Sequence, residues 1–375
     1  MASTSGRIKV LIVDDSALVR KLLTEMLGSA HDIEVVGAAP DAYSAREKIK
    51  ALNPDVITLD VEMPKMDGIQ FLRNLMRLRP MPVVMCSSLT EKGAEVTLSA
   101  LELGAIDFVT KPKIDLARTL EDYAAELIGK IKVAARAHVR ALPAIGAPAA
   151  GAAAGTPGAG NDAARTAAGA APLRFRTTNQ LIAIGASTGG TEAIREVLCR
   201  MPPDAPGIVI SQHIPAAFSG PFAARMDSCS QMTVHEARDG QLVIPGHVFI
   251  APGDRHLVVE RDGARWRVRL TQEQPVNHHR PSVDVMFRSV ARCAGQNAIG
   301  VMLTGMGADG ARGMLEMREA GARNVVQDEK TSVVWGMPGA AVNLGAVEKI
   351  LPLHEIADQV LEWAAERGAP VAARA

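Results

Sequence analysis

Aromatic residues are scarce in this chain, and positive charge is not in excess. Only 3% of the 375 residues are Phe, Trp or Tyr, too few for the stacking platform of a single-stranded RNA binder. Lys and Arg together number 41, the same as Asp and Glu, whereas nucleic-acid and membrane-surface binders normally carry a basic excess. We therefore predict no nucleic-acid partner.

Cysteines and long apolar runs are also few. The four cysteines are far apart and none forms a C-x-x-C pair, so neither a disulfide framework nor a zinc site is expected. The amino terminus has no apolar stretch of signal-peptide length. No uninterrupted apolar run reaches the ~18 residues of a membrane span. These features predict a cytoplasmic protein without direct membrane insertion.

What the chain does have is enough apolar sequence for two domains and a compositional break between them. Apolar residues make up 47% of the chain, and at ~150 residues per domain its length suggests two domains. Residues 141–172 contain 25 Ala, Gly or Pro residues and too few large side chains for a core. We predict an N-terminal domain over residues 1–135, a flexible linker over 136–176 and a C-terminal domain over 177–368.

Both predicted domains alternate short Val- and Ile-rich runs with amphipathic stretches. In the first, the predicted strands are 8–13, 33–38, 55–59, 82–86 and 106–109, and the helices lie near 17–28, 41–51, 67–77, 91–103 and 115–131. In the second, strands are predicted at 181–185, 207–211, 247–251, 299–303 and 324–327, with a hairpin in 254–272 around Asp262-Gly263. The pattern predicts an α/β protein: a five-stranded parallel sheet, then a doubly wound α/β domain with an antiparallel hairpin.

Acidic residues follow two strands of the first domain. Asp14 and Asp15 follow its first strand and Asp60 ends its third, while Ser87 and Lys111 follow the fourth and fifth. The carboxyl ends of parallel strands share one edge of the sheet, where ligands bind. Three carboxylates there call for a hard cation such as Mg²⁺. Each residue alone is more often a helix cap or a surface charge, but the combination favours a site.

These residues belong to motifs that resemble the receiver domain of response regulators. The motifs are DD at 14–15, LDVEMPKMDG at 59–68 and TKP at 110–112. The resemblance implies a flavodoxin-like receiver in which Asp60 accepts a phosphoryl group from a histidine kinase. It also implies that Asp14, Asp15, Asp60 and the backbone carbonyl of Glu62 hold Mg²⁺, and that Ser87 and Lys111 contact the phosphoryl group.

The second domain carries a candidate nucleophile, base and orienting acid. Ser187 lies in GASTGG, which fits G-x-S-x-G at a strand-to-helix turn, although such small residues also form phosphate-binding turns. His213 ends the next strand, on the same rim, with the pair His278-His279 as the one serious rival for the base. Asp309 lies at a helix start, where it can act as an N-cap, as the partner of the histidine, or as both. The order Ser, His, Asp differs from that of α/β-hydrolases.

Five motifs together resemble the CheB family of chemotaxis protein-glutamate methylesterases. They are GASTGG (185–190), SQHIP (211–215), HRPSVDVMF (279–287), LTGMGADG (303–310) and WGMPGAA (335–341). The resemblance implies a triad of Ser187, His213 and Asp309, and an oxyanion hole from backbone amides near Thr188 and Met306. It implies demethylation of glutamate γ-methyl esters and deamidation of glutamines on the cytoplasmic domains of methyl-accepting chemotaxis receptors. No cofactor is expected for ester hydrolysis.

Three other functions compete with this one. A phosphorylation-dependent binding module would leave residues 180–365 catalytically silent. The intact set of Ser187, His213 and Asp309 argues against this function. A DNA-binding response regulator would need a basic recognition helix in its output domain. A metabolic serine hydrolase would give no reason for the receiver. The resemblance further suggests that the receiver packs over the rim of the second sheet and blocks receptor helices.

Overall fold

The structure, a computed structural model of the chain, describes residues 6–87, 90–111, 117–137, 139 and 180–368. Nearly all of the predicted linker, residues 136–176, lies outside this part. Among the helices that are described, none combines the length and apolar character needed to cross a membrane.

The N-terminal unit is a five-stranded parallel sheet with helices on both faces. Its strands are β1 (Ile8–Val13), β2 (Ile33–Ala39), β3 (Val56–Asp60), β4 (Val83–Ser87) and β5 (Asp107–Thr110), in the order β2-β1-β3-β4-β5. Its helices are α1 (Ala17–Gly28), α2 (Ala42–Leu52), α3 (Gly68–Leu78), α4 (Glu91–Glu102) and α5 (Ala117–Ala134). The five predicted strand-helix repeats are confirmed, each within a few residues of its predicted position.

Alternation along β1 explains why both faces are covered. Val10 and Ile12 pack with apolar residues of α1 and α5, whereas Leu11 and Val13 pack with those of α2, α3 and α4. Successive side chains of a strand point to opposite faces, so a strand that is apolar at every position needs helices on both sides. All four of these residues are buried.

The C-terminal unit has a seven-stranded parallel sheet and a small antiparallel one. The parallel sheet contains β6 (Leu181–Ala186), β7 (Gly207–Gln212), β8 (Thr233–Glu236), β10 (His247–Ile250), β13 (Ala298–Met302), β14 (Arg323–Gln327) and β15 (Lys349–Leu351), in the order β15-β14-β13-β6-β7-β10-β8. The antiparallel sheet contains β9 (Leu242–Val243), β11 (His256–Asp262) and β12 (Arg265–Thr271). The helices are α6 (Gly190–Leu198), α7 (Ala216–Cys229), α8 (Val283–Ala294), α9 (Ala311–Glu319), α10 (Gly336–Asn343) and α11 (Leu353–Gly368).

The predicted α/β class and the hairpin are confirmed, with three strands added. The periodicity does not predict β8, β9 or β15. Two of them are the edge strands of the large sheet, and all three are at most four residues long. Half-exposed edge strands need no continuous apolar run, so they leave little pattern. In the hairpin, Asp262 pairs with Arg265, which places the turn at Gly263-Ala264, one residue later than predicted.

Strand order determines where the functional residues meet. β6 lies between β7 and β13, so the chain leaves β6 toward one side of the sheet and later returns on the other. Such a reversal opens a crevice at the carboxyl ends of the central strands. Ser187, His213 and Thr304 follow these three neighbouring strands closely and therefore reach the same crevice.

The two units pack against each other next to this crevice. Helix α4 lies against α6 and α7, and the ring of Phe108 on β5 stacks on Phe218 of α7, with centroids 4.4 Å apart. Glu102 of α4 forms an ion pair with Arg225 of α7. Arg225 also lies 3.4 Å from Glu192 of α6. The first unit therefore covers part of the second through both apolar and charged contacts.

Candidate active site and phosphorylation site

Ser187 lies in a tight turn between β6 and α6. Its backbone N–H donates to the carbonyl of Thr304 (3.0 Å), and its own carbonyl accepts from Gly190 (2.7 Å). The side chain of Gln212 also donates to the Ser187 carbonyl, at 2.9 Å. A Cβ on Gly190 would lie 2.2 Å from the Gln212 side chain, so the turn can close this tightly only with glycine there. Hydrogen bonds with Thr304, Gly190 and Gln212 thus hold the Ser187 backbone in place.

His213 is within hydrogen-bonding distance of Ser187. Its backbone N–H donates to the carbonyl of Ala186 (3.2 Å), continuing the pairing of β7 with β6. Its Nδ1 lies 3.1 Å from Ser187 Oγ and its Nε2 lies 2.8 Å from Asp309 Oδ2. Because a carboxylate only accepts, we assign the proton of the neutral ring to Nε2. Nδ1 then has the free lone pair that faces the serine hydroxyl.

Asp309 is buried and accepts several hydrogen bonds besides that of His213. Its Oδ1 accepts from Asn277 Nδ2 (2.7 Å) and Ser282 Oγ (2.8 Å), and its Oδ2 accepts from the backbone of Val283 (2.7 Å). Burial by itself raises the pKa of this carboxyl group, but the hydrogen bonds from His213, Asn277 and Ser282 outweigh it and hold the pKa well below its usual range. Asp309 therefore stays ionised beside His213.

The N-cap interpretation of Asp309 is wrong for the helix that follows it. The N-cap of α9 is Gly310, and no side chain caps that helix. The carboxylate instead accepts from the backbone of Val283 and Asp284, in the first turn of α8. It stabilises a helix start that is distant in sequence while it binds His213.

The predicted oxyanion donors lie on the two loops that meet at Ser187. Thr188 is the next residue and is buried, whereas Met306 is 40% exposed. Within the described part of the chain, the backbone N–H groups of these two residues donate to no other group. A pair of free amides beside a nucleophile suits the negative oxygen of a tetrahedral intermediate. Their role stays a prediction.

Gly305 is the point of closest approach between these loops. A Cβ there would lie 2.3 Å from Met337 Sδ and 2.9 Å from Ser187 Cβ. We expect Gly305→Ala to displace Ser187, lower hydrolysis about 100-fold and cost roughly 1–3 kcal/mol of stability. Turnover and thermal melting would measure both effects. Gly220→Ala is the control, because its nearest neighbour would be 3.6 Å away; equal losses in the two variants would contradict the prediction.

The sequence patterns do not predict a role for several residues that lie in this site. Ser282 lies inside the HRPSVDVMF motif, and Asn277 two residues before it, but neither was predicted to bind Asp309. His279, the rival base, makes no hydrogen bond to Ser187 in the described structure. Its ring lies on that of His213, with centroids 3.6 Å apart. Asp107 of the first unit also reaches the site, since its Oδ2 accepts from Thr188 Oγ1 at 2.6 Å.

The acidic residues of the first unit meet as predicted at the carboxyl end of its sheet. Asp14, Asp15 and Asp60 each offer an oxygen, and these oxygens lie within 4.8 Å of one another. Lys111 Nζ lies 2.9 Å from Asp14 Oδ2 and 2.7 Å from Asp60 Oδ2. Burial raises the pKa of Asp60 to about 6, with Asp14 adding to the rise and Lys111 opposing it. The same two carboxylates raise the pKa of Lys111 despite its burial.

This charge balance fits a divalent cation. Among the described residues, the ammonium group of Lys111 is the one that pairs with this set of three carboxylates. Two of the carboxylates, Asp14 and Asp60, are almost fully buried. Oxygen-only donor sets of this kind suit Mg²⁺. Glu62 is next to the cluster, since its backbone N–H donates to Asp60 Oδ1 at 3.3 Å. Ser87 is buried at the end of β4 and donates to the carbonyl of Gly93 (3.3 Å).

Comparisons with known proteins match one family to each unit of the chain. The CheB methylesterase family matches residues 182–360, and the response regulator receiver domain matches residues 10–121. A protein-glutamate methylesterase/protein-glutamine glutaminase of Xanthomonas euvesicatoria is 59% identical over 96% of this chain and 98% of its own. One from Geobacter metallireducens is 54% identical over 96% and 97%.

A solved structure is also similar to about half of this chain. The CheB methylesterase catalytic domain of Thermotoga maritima is 36% identical and covers 49% of this chain and 97% of its own, with a TM-score of 0.48. The identity and coverage of the full-length relatives establish that the chain belongs to the CheB family of receiver-linked protein-glutamate methylesterases/protein-glutamine glutaminases.

Proposed function

We propose that this protein is a phosphorylation-activated serine hydrolase of chemotaxis. It demethylates glutamate γ-methyl esters and deamidates glutamines on the cytoplasmic domains of chemoreceptors, and so mediates adaptation from the cytoplasm. The supporting observation is the hydrogen-bonded chain Ser187–His213–Asp309 at the edge of a sheet that the receiver unit partly covers. The names of its full-length relatives supply the substrate class.

The geometry suggests how the ester is cleaved. Ser187 Oγ attacks the γ-carbonyl carbon as His213 Nδ1 takes its proton, and the amides of Thr188 and Met306 hold the oxyanion. His213 then gives the proton to methanol, or to ammonia from glutamine, as the carbon–oxygen or carbon–nitrogen bond breaks. A water molecule, deprotonated by His213, then attacks the acyl carbon. The bond to Ser187 Oγ breaks, and His213 returns the proton to this oxygen, which releases glutamate and restores the serine. Asp309 stabilises the imidazolium at each stage.

The receiver has a separate chemistry. A carboxylate oxygen of Asp60 takes the phosphoryl group from a histidine kinase. Asp14, Asp15, Asp60 and the carbonyl of Glu62 would hold Mg²⁺, which offsets the charge of the phosphoryl oxygens when bound. Lys111 already contacts Asp60. A phosphoryl group on Asp60 would therefore lie within reach of the Lys111 ammonium group. Ser87 follows on the neighbouring strand and would contact the same oxygens.

Methanol release from methylated receptor membranes, with and without a small-molecule phosphodonor, tests the proposal. An active hydrolase releases methanol in both conditions, and faster with the phosphodonor. A binding module with a silent C-terminal domain would release none. If release is detected but does not respond to the phosphodonor, the hydrolase assignment stands and the regulatory one fails.

A catalytic fragment beginning at Thr177 should be more active than the unphosphorylated whole protein. In the whole chain, β5 and α4 of the receiver contact the crevice side of the catalytic unit, and these contacts block receptor helices. A linker of this length adds little closure entropy, so the contacts themselves must supply the inhibition. Typical coupling of ~1–3 kcal/mol corresponds to about 5- to 150-fold. Methanol release by the two proteins at equal concentration measures this gain.

The phosphodonor should stimulate methanol release by the whole chain and leave release by the fragment unchanged. Equal activity of fragment and unphosphorylated whole protein on receptor membranes would rule out inhibition by occlusion. Phosphorylation would then have to act by stimulating or targeting the catalytic unit directly.

A single charge reversal at the interface should reproduce part of this gain. Glu102→Lys places a like charge against Arg225, where the native residues form an ion pair, and so weakens docking. We expect higher methanol release without phosphodonor and a smaller increase with it. Glu95→Lys on the same helix is the matched control, because Glu95 is exposed and has no ion pair in the described structure. If both variants behave alike, the Glu102–Arg225 contact does not contribute to inhibition.

A further inference from the structure

A tight turn between Val276 and His279 lies beside the triad. These two residues exchange backbone hydrogen bonds of 3.1 and 2.9 Å. Asn277 and His278 between them have φ of 53° and 66°. Type I′ turns need this left-handed conformation at both central positions, and Asn and His adopt it more readily than most residues. The turn therefore presents its side chains from a backbone with little conformational freedom.

Two side chains of the turn contact the triad. Asn277 donates from Nδ2 to Asp309 Oδ1 (2.7 Å) and to Asp284 Oδ2 (2.9 Å). The ring of His279 lies nearly parallel to that of His213, at an interplanar angle of 13° and a centroid separation of 3.6 Å. Asn277 thus holds the carboxylate of Asp309, and His279 covers one face of the His213 ring.

The hydrogen bonds of His213 do not fully fix the orientation of its ring. They join its two nitrogens to Ser187 and Asp309 and so fix the position of the ring along that line. They restrain its rotation about the line only weakly, because hydrogen bonds tolerate angular deviation. A flat ring stacked on one face opposes this rotation directly.

His279 is neutral when His213 becomes charged. Burial, and next the proximity of His213, lower the pKa of His279 to about 4. The other charged or titratable groups that act on it are Asp309, His278 and Lys130. The face of a neutral aromatic ring attracts a cation, so a neutral imidazole in this place favours the imidazolium of His213. A second positive charge there would oppose it.

We propose that His279 is a positioning residue for the methylesterase reaction: its ring stacks on His213, keeps that ring aligned between Ser187 and Asp309, and stabilises its protonated form. The inference rests on the proposed triad. It assigns no proton transfer to His279. It requires a flat, uncharged ring at this position and nothing that only an imidazole provides.

Two substitutions in the full-length protein separate stacking from proton transfer. His279→Phe keeps a flat neutral ring and cannot carry a proton, whereas His279→Ala removes the ring. With receptor membranes and phosphodonor, we expect His279→Ala to lower kcat about 10-fold with KM unchanged, within the cation–π range. His279→Phe should recover most of the lost kcat. His278→Asn, in the same turn and equally tolerant of its backbone conformation, should behave like the unmodified protein.

Three results would overturn the proposal. If His279→Ala has normal kcat, the stack does not contribute. If His279→Phe is as inactive as His279→Ala, an imidazole and not merely a ring is required, and His279 acts by proton transfer or hydrogen bonding. If KM rises and kcat is unchanged, His279 binds substrate. Ser187→Ala in the same assay tests the triad separately, because full activity of that variant would refute the triad whatever His279 does. Thermal melting verifies that each variant is folded.

Discussion

Ser187→Ala is expected to yield a folded protein whose methanol release is reduced by about 10⁴-fold or more. The substitution removes the only hydroxyl that faces His213 in the described structure, and a methyl group fits where the Oγ was. The backbone contacts of the turn, to Thr304 and Gly190, do not involve the side chain and persist. Folding is therefore retained while the covalent step is lost.

His213→Ala should cause a loss of similar size, and the double variant should lose little more. The two side chains act in one proton transfer, so removing either disables the same step. Ser228→Ala is a suitable control, because that hydroxyl only donates to the carbonyl of Arg225 on the exposed side of α7. Near-normal turnover of His213→Ala together with inactivity of His279→Ala and of His279→Phe would identify His279 as the base instead.

The second large effect is expected at the receiver. Asp60→Asn should abolish Mg²⁺-dependent phosphoryl uptake, since the amide is a poor nucleophile, and leave basal hydrolysis intact. Incorporation of radiolabelled phosphate from a phosphodonor and methanol release measure the two properties in one preparation. Asp67→Asn is a matched control, because Asp67 caps α3 and asparagine caps helices equally well.

Stable phosphate incorporation into Asp60→Asn would show that the acceptor lies elsewhere. Lys111→Ala gives a different outcome. Lys111 contacts Asp60 and Asp14 but supplies no nucleophile, so its loss should reduce activation by phosphodonor more than phosphoryl uptake. Chelation of Mg²⁺ should stop uptake in the unmodified protein and leave basal methanol release unchanged.

Local patterns in the sequence determined most of the scaffold and the reacting residues. The alternation of Val- and Ile-rich runs with amphipathic stretches predicts all five strands of the first sheet, because fully buried parallel strands must be apolar on both faces. Ser187, His213 and Asp60 were identified because each directly follows or ends such a strand, and the carboxyl ends of parallel strands share one edge. These signals are encoded within a few neighbouring residues.

Tertiary structure decided which side chains surround those residues. Ser282 and Asn277, which donate to Asp309, lie 27 and 32 positions away from it, and the contact of Asp107 with Thr188 spans 81 positions. It likewise placed His279 on the face of His213 and not beside Ser187. Such contacts depend on how separate elements pack, on a left-handed backbone in a connecting loop, and on the docking of two units. The hydrophobic periodicity of the sequence does not predict these contacts, because each contacting residue lies in a segment with an ordinary helix, strand or loop pattern.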